Sequence, residues 1–564
     1  MSTAKRLFYY LLSLISLSLA AAGAGILLSL MFNMLFGNQG SVIRDGGFNA
    51  QQLSLGLALL IIGGGLWWFF WRLIRQSVSA DPFEIGTTVR KFYLNLILTV
   101  TAITALIAAT QFLTELLGGF QTGFFPSGSL STLLVAGAIW LFHWQVSEKE
   151  GHPSRSALTL RRWYVYILSG WGLVALASGL VQFLNGLIIH LPLWRPVFVE
   201  PSVWGYDVRS SLSTAVIGGV AWSFHWLYMA GKDRDSTLRQ VYLYLLAVSG
   251  GAIAALVALI TLIFQLLRFM FGGSGSAGAS YFIFLGWTVP LLLVAFGIWL
   301  YHERITREEA AGIRLRRLSA QRVHVYLMSF IALGTLVGGL IMLCSVLIDI
   351  PLNQLTGPII VSPGWWHEPL SLSLALLFVG VPLWLYYWKQ AMVLLERDRP
   401  GESRARSRRI FLYVVLGISI NTLAADLVII IYQLLRGILE GLDAAEILRG
   451  LKWGLQTMVV AVPVLLYFWR TLRQDQRAGA EALARHKQVS VILPEGTAAF
   501  MERLEEILGY RVKELRSLLP APADYAPPGE DEIRKLAEEI RLSGADKAVL
   551  VLAGSKWLFI PYQD

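Results

Sequence analysis

The feature that constrains this chain most is the signature Arg161-Arg162-Trp163-Tyr164-Val165-Tyr166, because a cationic-then-aromatic stretch of this kind opens six separate apolar runs. Its equivalents are Lys5 to Tyr10, Arg90 to Asn95, Arg239 to Tyr244, Gln321 to Tyr326 and Arg408 to Tyr413. Each run that follows is long enough to cross a bilayer, since about 20 helical residues span roughly 30 Å of hydrocarbon. A second apolar run answers each first one. It ends in Trp-x-aromatic-His/aromatic-Trp, seen at Trp67 to Trp71, Trp140 to Trp144, Trp222 to Trp226 and Trp384 to Trp388. Two copies depart from the pattern, Trp299 to Glu303 and Leu465 to Trp469.

This patterning predicts an all-α polytopic membrane protein of about 12 transmembrane helices, arranged as six repeated hairpins between residues 7 and 470. Composition agrees: 55% of residues are hydrophobic and 15% charged, where soluble domains carry about 25% charge. Lys5 and Arg6 ahead of an apolar core imitate a secretory signal, but the same opening recurs five times downstream, so residues 7 to 36 read as a retained first span. The outward loops alternate between long Pro/Trp-rich stretches (Leu191 to Asp207, Pro351 to Glu368) and short Gly/Ser-rich ones (Gly118 to Ser129, Gly272 to Ser280). That rhythm groups the hairpins into three four-helix units, residues 1–160, 161–320 and 321–477, with 478–564 as a separate domain.

Charge sets the expected orientation. The tail from residue 478 holds 11 Lys/Arg against 14 Asp/Glu, so it carries −3 and the membrane part +13 of the net +10. Of the 36 basic residues before 478, 29 lie on the side of the N-terminus and seven on the other: Arg44, Arg195, Arg209, Arg268, Arg436, Arg449 and Lys452. By the positive-inside rule both termini are cytoplasmic. Basic charge in short loops points to anionic lipid headgroups, at Arg304 to Arg322 and Arg397 to Arg409, and no nucleic-acid motif accompanies it.

After Arg477 the chain reads as a small cytoplasmic α+β domain. Gln488 to Leu493 is a strand, and Gly496 to Leu519 an amphipathic helix with Phe500, Leu504, Ile507, Leu508, Val512 and Leu515 on one face. A second helix carries Ile533, Leu536 and Ile540, and Lys547 to Ala553 with Lys556 to Tyr562 forms a hairpin.

The chemistry-bearing residues are few. Trp140, His143, Trp144, Trp222, His225, Trp226, Trp299 and His302 form an interfacial motif. Its histidines invite a metal or haem reading, yet Phe70, Tyr387 and Phe468 fill the same slot elsewhere. Aromatic packing with one wet ring edge therefore fits better, and no metal ligand is assigned. Asp426, midway along the eleventh span, and Asn421, five residues before it, are the ligand or ion candidates, because a carboxylate inside hydrocarbon costs about 2.5 to 3.5 kcal/mol. Gln111, Gln182, Gln265 and Gln433 suggest helix-to-helix hydrogen bonds or an outward vestibule. The single cysteine, Cys344, excludes an internal disulfide and a cysteine metal site. No nucleophile elbow, phosphate loop or paired carboxylates occur, so no catalytic residue is named and the cofactor stays unknown.

Arg-Arg-Trp-Tyr-Val-Tyr-Ile-Leu-Ser at 161 to 169, with Val-Gly-Val-Pro-Leu-Trp-Leu-Tyr-Tyr-Trp at 379 to 388, resembles an uncharacterised bacterial membrane family, domain of unknown function 5671 (DUF5671). The likeness covers most of residues 5 to 470 in tandem copies and does not reach the tail. It implies a bacterial inner-membrane location and supplies no activity, substrate or catalytic residues. Two function classes remain. One is a non-enzymatic membrane sensor or scaffold in which residues 478–564 bind a cytoplasmic partner. The other is a small-solute or ion transporter or channel with a polar path near Asp426.

Overall fold

The computed structural model describes residues 2–36, 46–119, 125–151, 154–191, 203–233, 236–273, 278–309, 314–356, 364–397, 399–485, 488–493, 498–508, 512–516, 529–543, 547–553 and 556–562. Apolar runs this long leave their backbone N–H and C=O groups no water, so helix is the conformation that satisfies them within one segment. The helices are α1 (Thr3–Phe36), α2 (Gly46–Ala80), α3 (Thr88–Leu117), α4 (Ser127–Glu150), α5 (Arg155–Ile189) and α6 (Tyr206–Trp222). They continue as α7 (Thr237–Met270), α8 (Leu285–Glu309), α9 (Arg314–Thr356), α10 (His367–Arg397), α11 (Arg406–Glu440) and α12 (Ala444–Arg485).

Eleven helices among the described residues are long and apolar enough to cross a membrane, which points to a multi-pass membrane protein. The reading of 12 spans differs at the sixth, expected at 210 to 230. There α6 is α-helical for 17 residues and continues as a π-helix over Ser223–Met229. Its first turns carry Asp207, Arg209, Ser210, Ser211, Ser213 and Thr214, which lower its apolar content. A second π-helical stretch, Tyr242–Val248, lies early in α7. Most of the loops within the expected hairpins (37–45, 120–124, 192–202, 274–277, 357–363) fall outside the described residues, although α9 runs past Pro351 to Thr356, where a loop was expected.

The chain divides into two compact units, residues 1–387 with 443–452, and 388–442 with 453–564. In the first, α1 packs on α2, α3 on α4, α5 on α6 and α7 on α8. Glycine makes the closest crossings. A Cβ at Gly23 of α1 would lie 2.5 Å from Leu60 N of α2, and one at Gly179 of α5 would lie 2.3 Å from Ala215 N of α6. Such contact between backbones is how helices associate where lipid removes the hydrophobic drive between them.

The second unit contains the α+β region. Strands β1 (Gln488–Leu493), β2 (Lys513–Arg516), β3 (Lys547–Ala553) and β4 (Lys556–Tyr562) form one sheet in the order β2-β1-β3-β4. The β1 pairings are parallel and β3–β4 antiparallel. Helices α13 (Ala498–Leu508) and α14 (Glu530–Leu542) bury Phe500, Leu504, Ile533, Leu536 and Ile540 with Val491, Leu550 and Trp557 of the sheet. The long helix expected over Gly496 to Leu519 is corrected: α13 ends at Leu508, ahead of Gly509, and Lys513–Arg516 pairs with β1 as an edge strand.

At the start of the chain, Arg6 donates from Nε and a terminal nitrogen to Glu84 at 2.8 and 2.7 Å. Glu84 lies in the short turn Pro82–Gly86 between α2 and α3 and is 1% exposed. The Arg6 hydrogen bonds hold its carboxyl below the usual carboxylate range. A depressed folded pKa means that this stabilisation is complete above the unfolded value of about 4.3 and is lost as pH falls through the lower folded value. Glu84→Gln is expected to cost about 1.5 to 3 kcal/mol at pH 7, the range for hydrogen bonds to charged groups. Thermal unfolding in detergent should show the variant and the parent converging below that acidic window, and a pH-independent gap would contradict the assignment.

Candidate functional site

The cationic openings and tryptophan endings meet in space. Arg90 of α3 sits over the Trp71 ring of α2 at 5.8 Å, Arg161 of α5 over Trp144 of α4 at 4.2 Å, and Arg239 of α7 over Trp226 at 4.5 Å. In the second unit Arg408 of α11 stands 5.9 Å from the Trp388 ring of α10. In each case the guanidinium that starts one helix covers the indole that closes the preceding motif. Cation–π contact of this kind contributes about 0.5 to 2 kcal/mol, most where water is excluded.

Carboxylates complete the clamps. Arg90 and the fully buried Lys91 both bind Glu150, whose Oε2 accepts from Lys91 Nζ at 3.0 Å. Arg239 pairs with Glu309 at 2.5 Å, Arg161 with Glu148 at 2.6 Å, and the fully buried Arg408 with Asp475 at 2.6 Å. Arg408, expected within a basic loop for lipid headgroups, is thus engaged inside the protein.

Three residues after each arginine, an aromatic ring lies between the tryptophan and the histidine slot. Tyr93 meets Trp71 and His143, Tyr164 meets Trp144 and His225, and Tyr242 meets Trp226 and His302, all with centroids 4.5 to 6.4 Å apart. Phe411, between Trp388 and Phe468, takes the same place, with phenyl rings in both the tyrosine and the histidine slots.

The hydrogen bonds fix the tautomers. His143, His225 and His302 each place Nδ1 2.8 to 2.9 Å from the carbonyl four residues back, and a carbonyl only accepts, so Nδ1 carries the proton. Trp140 Nε1 donates to Tyr164 Oη at 3.1 Å, and Tyr164 Oη donates to His225 Nε2 at 3.2 Å. Trp222 Nε1 donates to Tyr242 Oη at 3.0 Å. Nε2 of His143 and of His302 is buried without a partner. The wet ring edge expected of this motif is not what its histidines have, because all three are buried. Trp299 is half-buried and passes close to Gly251 of α7 instead. Among the described residues no three His, Cys, Asp or Glu side chains gather closely enough to hold a metal ion.

Asp426 and Asn421 are not brought together. Asp426 is buried and accepts from Thr457 Oγ1 of α12 at 2.6 Å, while its other oxygen has no partner. Asn421 is exposed and donates to Gly417 O of its own helix at 2.8 Å. Five residues at 100° each turn these side chains to different faces. Gln265 accepts from Tyr281 Oη at 2.9 Å, whereas Gln111 and Gln182 are exposed. Sequence reasoning missed Gln456, a fully buried amide of α12 with neither end partnered, and the carboxylates of the clamps. The clamps did carry a signal: Glu150, Glu309 and Asp475 each lie six residues beyond the last position of a tryptophan motif.

A family model described as Domain of unknown function (DUF5671) matches residues 6–127, 126–191, 191–293 and 322–448. The chain belongs to the DUF5671 family. The first two clamps fall within DUF5671 matches, as do Trp226, Arg239, Trp388, Arg408 and Asp426, while Glu309 lies between two matched segments and Asp475 and the whole α+β region lie beyond the last matched residue. No curated protein and no solved structure matches the chain.

Proposed function

We propose that this DUF5671 protein is a non-enzymatic membrane scaffold or sensor whose C-terminal domain, residues 478–564, docks a cytoplasmic protein. The observation that carries this reading is an uncovered apolar sheet face. Registered pairs align Leu515, Ile492, Val551 and Leu558 in one row across all four strands, with Ser490, Val549 and Ile560 in the next. Leu558 is 51% and Ile560 48% exposed, while the opposite face is buried by α13 and α14. A partner with an apolar patch and basic rim would complement this face and the −3 charge of the domain.

The finer architecture belongs to the same reading: 12 spans as six hairpins in three units (1–160, 161–320, 321–477), a bacterial inner-membrane location, and both termini cytoplasmic. The recurring Arg–Trp–carboxylate clamps support the hairpin repeat, and the 29-to-7 distribution of basic residues supports the orientation. Among the described residues, the exposed Arg397, Arg399, Arg406 and Arg409 are available to meet anionic headgroups. Transport is the second reading, favoured by the unpartnered Asp426 oxygen. Against it, span hydroxyls such as Thr101, Ser169 and Ser419 return their hydrogen bonds to their own helices rather than lining a path.

The test places a photoreactive amino acid at Leu558 or Glu538 of the full-length protein in cells. Leu558 should crosslink one discrete protein, lost when Val551→Glu is added, and Glu538 on α14 should not. Equal products from both sites, or a product of twice the chain's own mass, would contradict a cytoplasmic partner. Proton flux in proteoliposomes that disappears in Asp426→Asn would put transport in its place.

A further inference from the structure

In the first unit, α1, α3, α4 and the start of α2 line an open cavity of about 880 Å³. Small residues on α1, among them Ser18, Ala21, Ala22 and Gly25, create it. Gly23 and Gly25 show the division of labour. A Cβ at Gly23 would strike the α2 backbone at 2.5 Å, whereas one at Gly25 meets nothing within 4 Å. Gly128 at the start of α4 opens on the cavity in the same way.

Length, charge and polarity describe an occupant. The lining runs along α1 from Leu14 to Asn33, about 28 Å at 1.5 Å per residue, close to the roughly 30 Å of a hydrocarbon core. No Asp, Glu, Lys, Arg or His lines it. Leu, Ile, Val, Ala and Gly dominate the wall, Ser18, Thr101 and Thr104 within it donate to carbonyls of their own helices, and further polar groups gather at the Asn33 end. There Ser127 Oγ donates to Asn33 Oδ1 at 2.8 Å and accepts from Ser29 Oγ at 3.3 Å, and Gln52 adds a second amide.

We propose that this cavity binds one extended hydrocarbon chain ending in an uncharged hydrogen-bonding group, of the class of a long-chain isoprenoid alcohol. An acyl chain confined to its own leaflet reaches about half the 30 Å core, well short of the lined stretch of α1 from Leu14 to Asn33. A phosphate head would find no cation there, while a hydroxyl finds the Asn33, Ser127 and Gln52 groups. The chain replaces the contacts that an empty apolar volume forfeits.

The full-length protein in phosphatidylethanolamine/phosphatidylglycerol nanodiscs tests this with diazirine-tagged geranylgeraniol and, separately, a diazirine-tagged phosphatidylethanolamine. The isoprenoid should label peptides containing Leu14 to Asn33 and Leu96 to Thr104. Gly25→Leu fills the cavity and should reduce that labelling about tenfold. Gly128→Leu should do the same from α4, so the outcome does not hang on one variant's folding. Gly64→Leu, where a Cβ also meets open space but outside the cavity, should leave labelling unchanged. Labelling that persists in monodisperse Gly25→Leu and Gly128→Leu protein, or equal labelling of these peptides by the phospholipid probe, overturns the proposal.

Discussion

Asp475→Ala is expected to cost about 3 to 5 kcal/mol, the range for removing one partner of a buried ion pair. Arg408 is fully buried, and its Nε donates to Asp475 Oδ2 at 2.6 Å. Truncating the carboxylate removes the charge that holds Nε and a terminal nitrogen of Arg408, and the Trp388 ring, 5.9 Å away, does not replace it. Replacing both partners by apolar residues of similar volume should recover most of the loss, because the double variant removes both charges of the pair together. Thermal unfolding in detergent, followed by elution profile, distinguishes the cases. The clamp is energetically idle if Asp475→Ala melts with the parent, and the burial argument fails if Arg408→Met/Asp475→Leu is no better than Asp475→Ala.

Gly179→Val should be comparably damaging for a different reason. A Cβ there would lie 2.3 Å from Ala215 N and 2.7 Å from its Cα, so backbone rather than a pliant side chain must move. A Cβ at Gly218 of α6 would likewise lie 2.4 Å from Leu176 N of α5, so the crossing is backbone-tight from both helices. Overpacking costs about 1 to 3 kcal/mol where neighbours adjust, and this crossing belongs at or above the upper end. The readout is the yield of monodisperse protein and its melting temperature. Gly250→Val is the control on α7, since its Cβ would meet nothing within 4 Å. Equal behaviour of the two variants would mean that the α5–α6 crossing tolerates separation.

The helices were legible because apolar runs of this length admit one answer in lipid, and the motif was legible because Arg, Trp and Tyr recur at fixed offsets. Contacts across helices were not. Glu150 looks like one more charge at a helix end until Arg90 and Lys91 converge on it from α3. Asp426 stood out by its setting, but its partner Thr457 depends on how α12 is rotated against α11, which a single sequence does not state. The error in the tail has a local cause. Leu504, Leu508, Val512 and Leu515 fit a helical stripe, but on a strand Val512 and Leu515 fall on opposite faces, Val512 in the core and Leu515 exposed, and a segment this short does not separate the two by periodicity. The edge position beside β1 decided for the strand.

The clamps also impose an order on synthesis. Trp71, Trp226 and Trp388 are made before Arg90, Arg239 and Arg408, and the matching carboxylates follow 60, 70 and 67 residues later. At 5 to 20 residues per second that gap lasts roughly 3 to 14 s. Through that interval each newly inserted guanidinium has the face of an indole already waiting beside it. The tryptophan is its first companion, and the carboxylate arrives only when the second helix of the pair has been threaded into the bilayer.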